Sequence, residues 1–209
     1  MSEITTPGAT HLGGEPDVPP EWTWPARGGL RMAFVAQVDL ADCGDEALPT
    51  RGVLQFFYDA VGQPWGTHGG DRGGWQVVHL TGDRSRWRPR THPDAAGPSG
   101  ASGRLVGRLC GPRAGVSKRA TAALVHAPRP GLAGARLLGE SGSSAEVARA
   151  AGQAGPWRPL LSVDADPLAD VIWGEGEASS LTYFITAADL AAGDFDRTWI
   201  WLECDSDGP

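Results

Sequence analysis

The strongest constraint on the fold is a set of short segments in which apolar side chains recur at every second position. In residues 30–40 every even-numbered residue is apolar, whereas the odd-numbered residues become polar toward Asp39. A period of two places successive side chains on opposite faces of a β-strand. Further segments rich in aromatic and β-branched residues are 52–60, 75–80, 159–166, 180–186 and 197–204. The pattern predicts a mainly β protein with antiparallel sheets. Segment 52–60 is expected to pair with 75–80, and 180–186 with 197–204.

Helices are expected to be few and short. Thr186 followed by Asp189 three residues later is typical of a capped helix start, so a short helix is predicted over 186–192. A second short helix is predicted within residues 140–151. Gly and Pro together make 47 of the 209 residues (30 plus 17), which argues against a helical bundle.

Long loops are expected in the middle of the chain. Residues 88–118 are rich in Gly, Pro and Ser, and they predict a loop with at most one short strand, at 104–109. The length suits one compact domain over residues 1–209. Within it, residues 84–158 are predicted to hold the least regular structure.

Charge is divided unevenly along the chain. Residues 84–136 carry 11 basic residues and one acid, while residues 160–209 carry 11 acids and one base, Arg197. A basic segment can indicate nucleic-acid binding, but the net charge here is −7 and few aromatic residues accompany the arginines. We therefore expect the basic middle to pair with the acidic flanks within the chain, and we expect no nucleic-acid partner.

The sequence predicts a cytoplasmic protein without a membrane partner. No apolar run approaches about 18 residues, and the first residues lack the basic start and apolar stretch of a signal peptide. Three widely spaced cysteines, Cys43, Cys110 and Cys204, suit neither a disulfide framework nor a zinc site. The absence of Asn and the single Lys118 are typical of a GC-rich genome.

Gln37, Asp39 and Asp164 are the candidate catalytic residues. Each lies near the end of an otherwise apolar strand, on its less apolar face. If the two strands lie side by side, the two carboxylates converge, and a shared proton would then permit acid–base catalysis with Gln37 orienting the substrate. The alternative is that each Asp caps a turn by accepting backbone N–H bonds.

Tryptophans form the second candidate set. A cleft lined by large rigid aromatic side chains would suit a flat or apolar ligand, and the alternative is an unusually Trp-rich core. The candidate ligand-binding residues are Trp22, Trp24, Trp65, Trp173, Trp199 and Trp201.

Motifs for cofactors and metals are absent from the sequence. It has no Gly-rich loop that leads into a helix and would hold a phosphate, and no Gly-x-Ser-x-Gly or Cys–His nucleophile arrangement. The five histidines show no metal-ligand spacing. Asp164, Asp166 and Asp170 have oxygens that suit a hard cation, but solvated turn acids explain them better. No cofactor and no metal are predicted.

Several landmarks, in this order, resemble the YwqG-like family, a group of bacterial proteins of unknown function. The resemblance implies a largely β, roll-like fold and implies no activity. The middle, 84–158, matches poorly, and Ser162 stands where the family often has Gln. The matching pieces are HLGGEPDVPPEWTWP (11–25), MAFVAQVDL (32–40), LPTRGVLQFFYD (48–59), WG (65–66) and the segment 160–204.

Three classes of function remain open at this point. Binding of a small, partly apolar or aromatic molecule in a Trp-lined cleft ranks first, because it needs only a shaped surface. A cofactor-free enzyme that performs cyclisation, isomerisation or hydrolysis on a small metabolite ranks second. A protein-partner module, such as a toxin-neutralising protein, ranks third, with association steered by the opposite charges of the middle and the C-terminal part.

Overall fold

The structure, a computed structural model, describes residues 6–43, 45–93, 135–138, 142–165, 173 and 178–204. Its regular elements follow the order that the alternation pattern predicts, with short additional strands near the N-terminus. The strands and α-helices are β1 (His11–Leu12), β2 (Asp17–Val18), β3 (Ala26–Arg27), β4 (Leu30–Arg31), β5 (Ala33–Asp39), β6 (Val53–Tyr58), β7 (Trp75–Leu80), β8 (Arg88–Pro89), β9 (Ala135–Leu137), α1 (Ser144–Ala151), β10 (Trp157–Asp164), β11 (Ser180–Thr186), α2 (Ala187–Ala192) and β12 (Trp199–Glu203).

Two four-stranded antiparallel sheets organise these elements. Sheet 1 has the order β1-β5-β6-β7 and sheet 2 has the order β9-β10-β11-β12, so each sheet follows the sequence. Short antiparallel pairs, β2–β8 and β3–β4, lie outside them. The mainly β, antiparallel prediction and both predicted strand pairings, β6–β7 and β11–β12, are confirmed.

The main core lies between the inner faces of the two sheets. The Phe56 and Tyr183 rings meet edge to face with centroids 5.1 Å apart, and those of Trp75 and Trp199 meet at 4.9 Å. The Tyr183 hydroxyl donates to the Phe57 carbonyl of the opposite sheet at 3.1 Å. Burial raises the pKa of Tyr183 well above its usual value, so the phenol is a neutral donor. Removal of this apolar surface from water is the main force that joins the sheets.

The outer face of sheet 1 is also buried, although alternation alone predicts that β5 ends with a polar face. Trp24 packs on Phe57, and its indole N–H donates to the Met32 carbonyl at 2.8 Å. Phe34 and Phe57 also pack against each other there, and both are fully buried. The Trp-Thr-Trp-Pro segment, residues 22–25, thus covers the outer face of sheet 1.

Corresponding positions of the two sheets hold a buried polar pair. Gln37 lies opposite Gln55 and bonds it at 2.8 Å, while Ser162 lies opposite Thr182 and bonds it at 3.0 Å. Gln-Val-Asp at residues 37–39 and Ser-Val-Asp at residues 162–164 thus occupy corresponding places in the two sheets. Each bond satisfies part of the hydrogen-bonding capacity of side chains that are buried in the interior.

Both predicted helices are present. The Thr186 hydroxyl accepts from the Asp189 backbone N–H at 3.1 Å, which confirms the cap of α2. The other helix, α1, begins at Ser144 and is shorter than the segment 140–151. Among the described residues, no helix combines the length and the apolar character needed to cross a membrane. The strand predicted at 104–109 lies outside the described residues.

Candidate functional site

Gln37 lies at the centre of a buried hydrogen-bond network on the outer face of sheet 1. Its Oε1 accepts from the Asp17 backbone N–H at 3.0 Å and from Nε2 of Gln55 at 2.8 Å. Its Nε2 donates to the Ala9 carbonyl at 2.9 Å and to Oδ2 of Asp17 at 3.2 Å. Gln37 is fully buried, and these four bonds occupy its whole amide group. The side chain holds the N-terminal segment against the sheet, and a role of Gln37 in orienting a substrate stays a prediction.

Asp39 acts as an ion-pair partner and as a cap. Its carboxylate accepts two hydrogen bonds from Arg84, at 2.5 and 2.8 Å, and one from the Ala41 backbone N–H at 3.1 Å. Arg84 also donates to the Gly52 carbonyl at 3.0 Å, and its hydrogen bonds with Asp39 raise the pKa of the guanidinium. The bond from the Ala41 N–H is the turn cap that the alternative for Asp39 predicts, and a catalytic role of this carboxylate stays a prediction.

Asp39 and Asp164 do not lie on adjacent strands. β5 is flanked by β1 and β6, whereas β10 is flanked by β9 and β11. The condition under which the two carboxylates would converge, that their strands lie side by side, is therefore not met, because each half of the chain pairs its own consecutive strands. Asp164 lies opposite Ser180 at the end of β10. Asp166 and Asp170, considered with it as cation ligands, lie outside the described residues.

The tryptophans predicted to line one cleft belong to two separate apolar clusters. Two of them pack in the cluster outside sheet 1, and the other four belong to the main core or border it. Three of the six are buried, and each of these donates its indole N–H to a backbone carbonyl at 2.7 to 2.9 Å. The buried ones are Trp24, Trp173 and Trp199, and the half-buried ones are Trp22, Trp65 and Trp201. Half of this set is accordingly core, and only the half-buried members have surface to offer a ligand.

A groove of about 610 Å³ lies between α2 and the segment that follows β5. We call it the α2 groove. Its volume is within the range of small-molecule sites. Eight of its ten lining residues are apolar or Gly. They are Ala47, Leu48, Pro49, Ala187, Leu190, Ala191, Ala192 and Gly193, and the two charged lining residues are Glu46 and Arg158.

The wall formed by α2 is unusual for a surface helix. Four of its six residues are exposed alanines, whereas the solvent side of such a helix commonly carries charged residues. Its one acid, Asp189, is engaged by the Thr186 hydroxyl at 2.6 Å and by Arg197 at 3.1 Å. The helix therefore presents a small-residue apolar surface to the groove.

Arg158 is the cation of the α2 groove. It lies on β10, opposite Ile185 of β11, between the buried residues Trp157 and Pro159. Its side chain is half-buried, and across the described part of the chain it has no hydrogen-bond or ion-pair partner. Glu46 lines the same groove but is exposed and is not ion-paired with it. A half-buried guanidinium without a partner retains donors for an anion.

Trp201 lines a second, smaller pocket of about 330 Å³ beside α1. Glu146 and Arg149, which also line it, bond each other at 3.0 Å. His68, a third lining residue, lies 3.2 Å from Asp71. The charged groups of this pocket already have partners, so it has less to offer a ligand than the α2 groove does.

Metal ligands are not assembled in the parts of the chain that the structure describes. No group of three or more His, Cys, Asp or Glu side chains lies close enough there to hold an ion. The described lining of the α2 groove offers apolar side chains, one positive charge on Arg158 and one negative charge on Glu46.

Together, the fold and the groove define a mainly β protein of two packed antiparallel sheets with an apolar surface groove. The chain belongs to the family described as Domain of unknown function (DUF1963), whose model matches residues 10–128 and 136–204. No curated protein matches the chain.

Sequence reasoning missed Arg158 and the α2 groove. The segment that forms α2 was recognised as a helix, and its run of alanines was a signal that this helix carries few charges on its exposed side. Arg158 gave no signal, because arginine is common in the sequence and only the folded chain shows that this one is half-buried in the lining of a groove.

Proposed function

We propose that this protein binds a small, partly apolar molecule in the α2 groove. The observation that carries the proposal is the groove itself, whose walls come from both halves of the chain and are mostly apolar. Burial of an apolar ligand against Leu48, Leu190 and the alanines of α2 would contribute roughly 25 cal/mol for each Å² removed from water. The proposal needs no cofactor, no nucleic acid and no membrane.

The proposal changes the location of the ligand relative to the expected Trp-lined cleft. Three of the six tryptophans are core residues with satisfied indole N–H groups. Trp201 supplies an aromatic surface in the second pocket, whose charged side chains already have partners. We place binding of a partly apolar molecule ahead of acid–base catalysis because Asp39 is held by Arg84 and Gln37 is wholly buried.

The test is titration of the ¹⁵N-labelled protein with 1-octanol, followed by backbone amide shifts. We expect saturable shifts concentrated in residues 46–49 and 187–193. Ala191→Phe places a large ring in the groove and is expected to weaken binding at least about tenfold. Ala188→Phe is the matched control, because Ala188 is exposed on the same helix but does not line the groove.

Two results would refute this function. One is the absence of saturable shifts with 1-octanol and with the aromatic analogue 3-phenylpropanol. The other is equal affinity in the wild-type protein and in Ala191→Phe, since the molecule then binds elsewhere.

We further propose that within its family the protein is YwqG-like and that it resides in the cytoplasm. The first is supported by the ordered motifs at 11–25, 32–40 and 48–59. The second is supported by Cys204, an exposed free thiol, since such thiols persist in reducing compartments. Fractionation of the native cells tests the location, and recovery outside the cytoplasmic fraction would contradict it.

A further inference from the structure

We infer that the ligand of the α2 groove carries an anionic group, of which a carboxylate is the simplest, and that Arg158 binds it. This inference rests on the proposed function and adds the chemical class of the ligand. Among the described residues that line the groove, Arg158 is the only cationic one. The other described lining residues, apart from Glu46, have no charge.

Arg158 has the properties of an anion-binding residue. Its half-buried side chain has lost part of its hydration, and within the described residues no carboxylate or carbonyl compensates for this. By contrast, Arg84 bonds the carboxylate of Asp39, and Arg197 bonds that of Asp189. A guanidinium presents a planar pair of N–H donors that matches the two oxygens of a carboxylate.

The other charged groups near the groove do not remove the preference of Arg158 for an anion. Glu46 is exposed, so water solvates its carboxylate and screens its repulsion of a bound anion. Asp189, on α2, is engaged by Arg197 and by Gln153, at 3.1 Å each. The half-buried charge beside the apolar wall is the positive charge of Arg158. It complements a molecule with an apolar body and an anionic end.

The volume and the lining favour a small molecule over a partner chain. A groove of about 610 Å³ is comparable to a small-molecule site. Protein interfaces commonly bury about 800 Å² on each partner and are anchored by large aromatic or Arg side chains. The exposed residues of the α2 wall are alanines, which offer no such anchor.

The test compares three molecules of equal chain length, octanoate, 1-octanol and octylamine, by isothermal titration at pH 7.5. We expect octanoate to bind at least about tenfold more tightly than 1-octanol, as a charge-assisted hydrogen bond would provide, and octylamine to bind least. In Arg158→Gln the preference for octanoate over 1-octanol should be lost. Because Arg158 bonds no other described residue, we expect this variant to keep the wild-type melting temperature.

Arg86→Gln is the matched control, since it removes an exposed arginine that does not line the groove. We expect it to bind octanoate as tightly as the wild type. If 1-octanol binds as tightly as octanoate, or if Arg158→Gln keeps the preference for octanoate, the ligand is not anionic. The proposal that the groove binds a partly apolar molecule would still stand. If none of the three molecules binds, the proposed function itself fails. A wild-type dimer in sedimentation that Ala191→Phe converts to monomer would also overturn the inference, because a second copy would then occupy the groove.

Discussion

The guanidinium of Arg84 donates two hydrogen bonds to the carboxylate of Asp39, at 2.5 and 2.8 Å, and so joins the end of β5 to the turn before β8. The same guanidinium bonds the Gly52 carbonyl at the start of β6. This pair is one case of the expected attraction between the basic middle and an acidic flank. It also explains why an acid at the end of an apolar strand is structural here.

We predict that Asp39→Asn lowers the free energy of unfolding by about 1–3 kcal/mol, the range for hydrogen bonds to charged groups. The Asp39 side chain is 16% exposed and that of Arg84 is 27% exposed, so water screens the pair only partly. Urea denaturation measures the change. The double variant with Arg84→Gln should cost less than the sum of the two single changes, because both remove one interaction.

Arg86→Gln is the control for this experiment, since Arg86 is exposed on the same short 3-10 helix as Arg84. Its free energy of unfolding should stay within about 0.5 kcal/mol of the wild type. If Asp39→Asn has the same free energy of unfolding as the wild type, the ion pair contributes nothing to stability.

We predict that Gln37→Leu lowers the free energy of unfolding by at least about 2 kcal/mol, because it leaves buried groups of Asp17 and Ala9 without their partner. Gln76→Leu, at an exposed position of strand β7 in the same sheet, should change it by no more than about 0.5 kcal/mol. Chemical denaturation of both variants checks this. Equal stability of the two would mean that the network around Gln37 is not tightly formed.

We predict that Gly66→Ala is much more damaging than Gly73→Ala. Both glycines have positive φ, +77° and +85°, so both substitutions carry the same backbone penalty of about 1–2 kcal/mol. A Cβ at Gly66 would lie 1.9 Å from the Ile200 carbonyl oxygen, whereas one at Gly73 would meet no atom within 4 Å. The additional loss at Gly66 should be at least about 2 kcal/mol.

Thermal unfolding of the two glycine variants measures the difference. The contact at Gly66 places the loop after β6 against β12, where the Gly66 carbonyl accepts the Trp199 indole N–H at 2.7 Å. Similar melting temperatures for the two variants would contradict this close approach.

We predict that iodoacetamide at pH 8 modifies Cys204 but spares Cys43 in the native protein. Cys204 is exposed, whereas Cys43 is buried and its thiol donates to the Asp39 carbonyl at 3.4 Å. Burial, followed by the charges of Asp42, Asp39 and Asp45, raises the pKa of Cys43 to about 12, so little thiolate forms. Peptide mass mapping in a Cys110→Ser background checks it, and equal modification of the two cysteines would be the contrary result.

The pKa of Cys43 also predicts a pH dependence of stability. Its unfolded thiol titrates near pH 8.5, so between about pH 9 and 12 the unfolded chain loses a proton that the native protein keeps. The free energy of unfolding therefore falls as pH rises, and the stabilisation is complete only below that window. Cys43→Ala removes this effect. Its stability relative to the wild type should improve by about 1–2 kcal/mol from pH 8 to pH 10, and an unchanged difference would contradict the prediction.

The strands and the α2 cap were predictable because their signals are local. Alternation along residues 30–40 and 180–186 and the Thr186–Asp189 spacing depend only on neighbouring residues. The network of Gln37 was not predictable, since its partners Asp17 and Gln55 are each about twenty positions away. The role of Arg158 required the positions of β10, α2 and the segment after β5 together.

The sequence alone determined the mainly β class, the order of the strands, the antiparallel pairing of β6 with β7 and of β11 with β12, and the cap of α2, because period and turn chemistry are written in consecutive residues. Only the tertiary structure decided that β5 and β10 belong to different sheets and that Asp39 meets Arg84. It alone also decided that α2 forms a groove with residues 46–49 beside Arg158. These relationships join residues far apart in the chain, and their geometry depends on how the two sheets pack rather than on any local pattern.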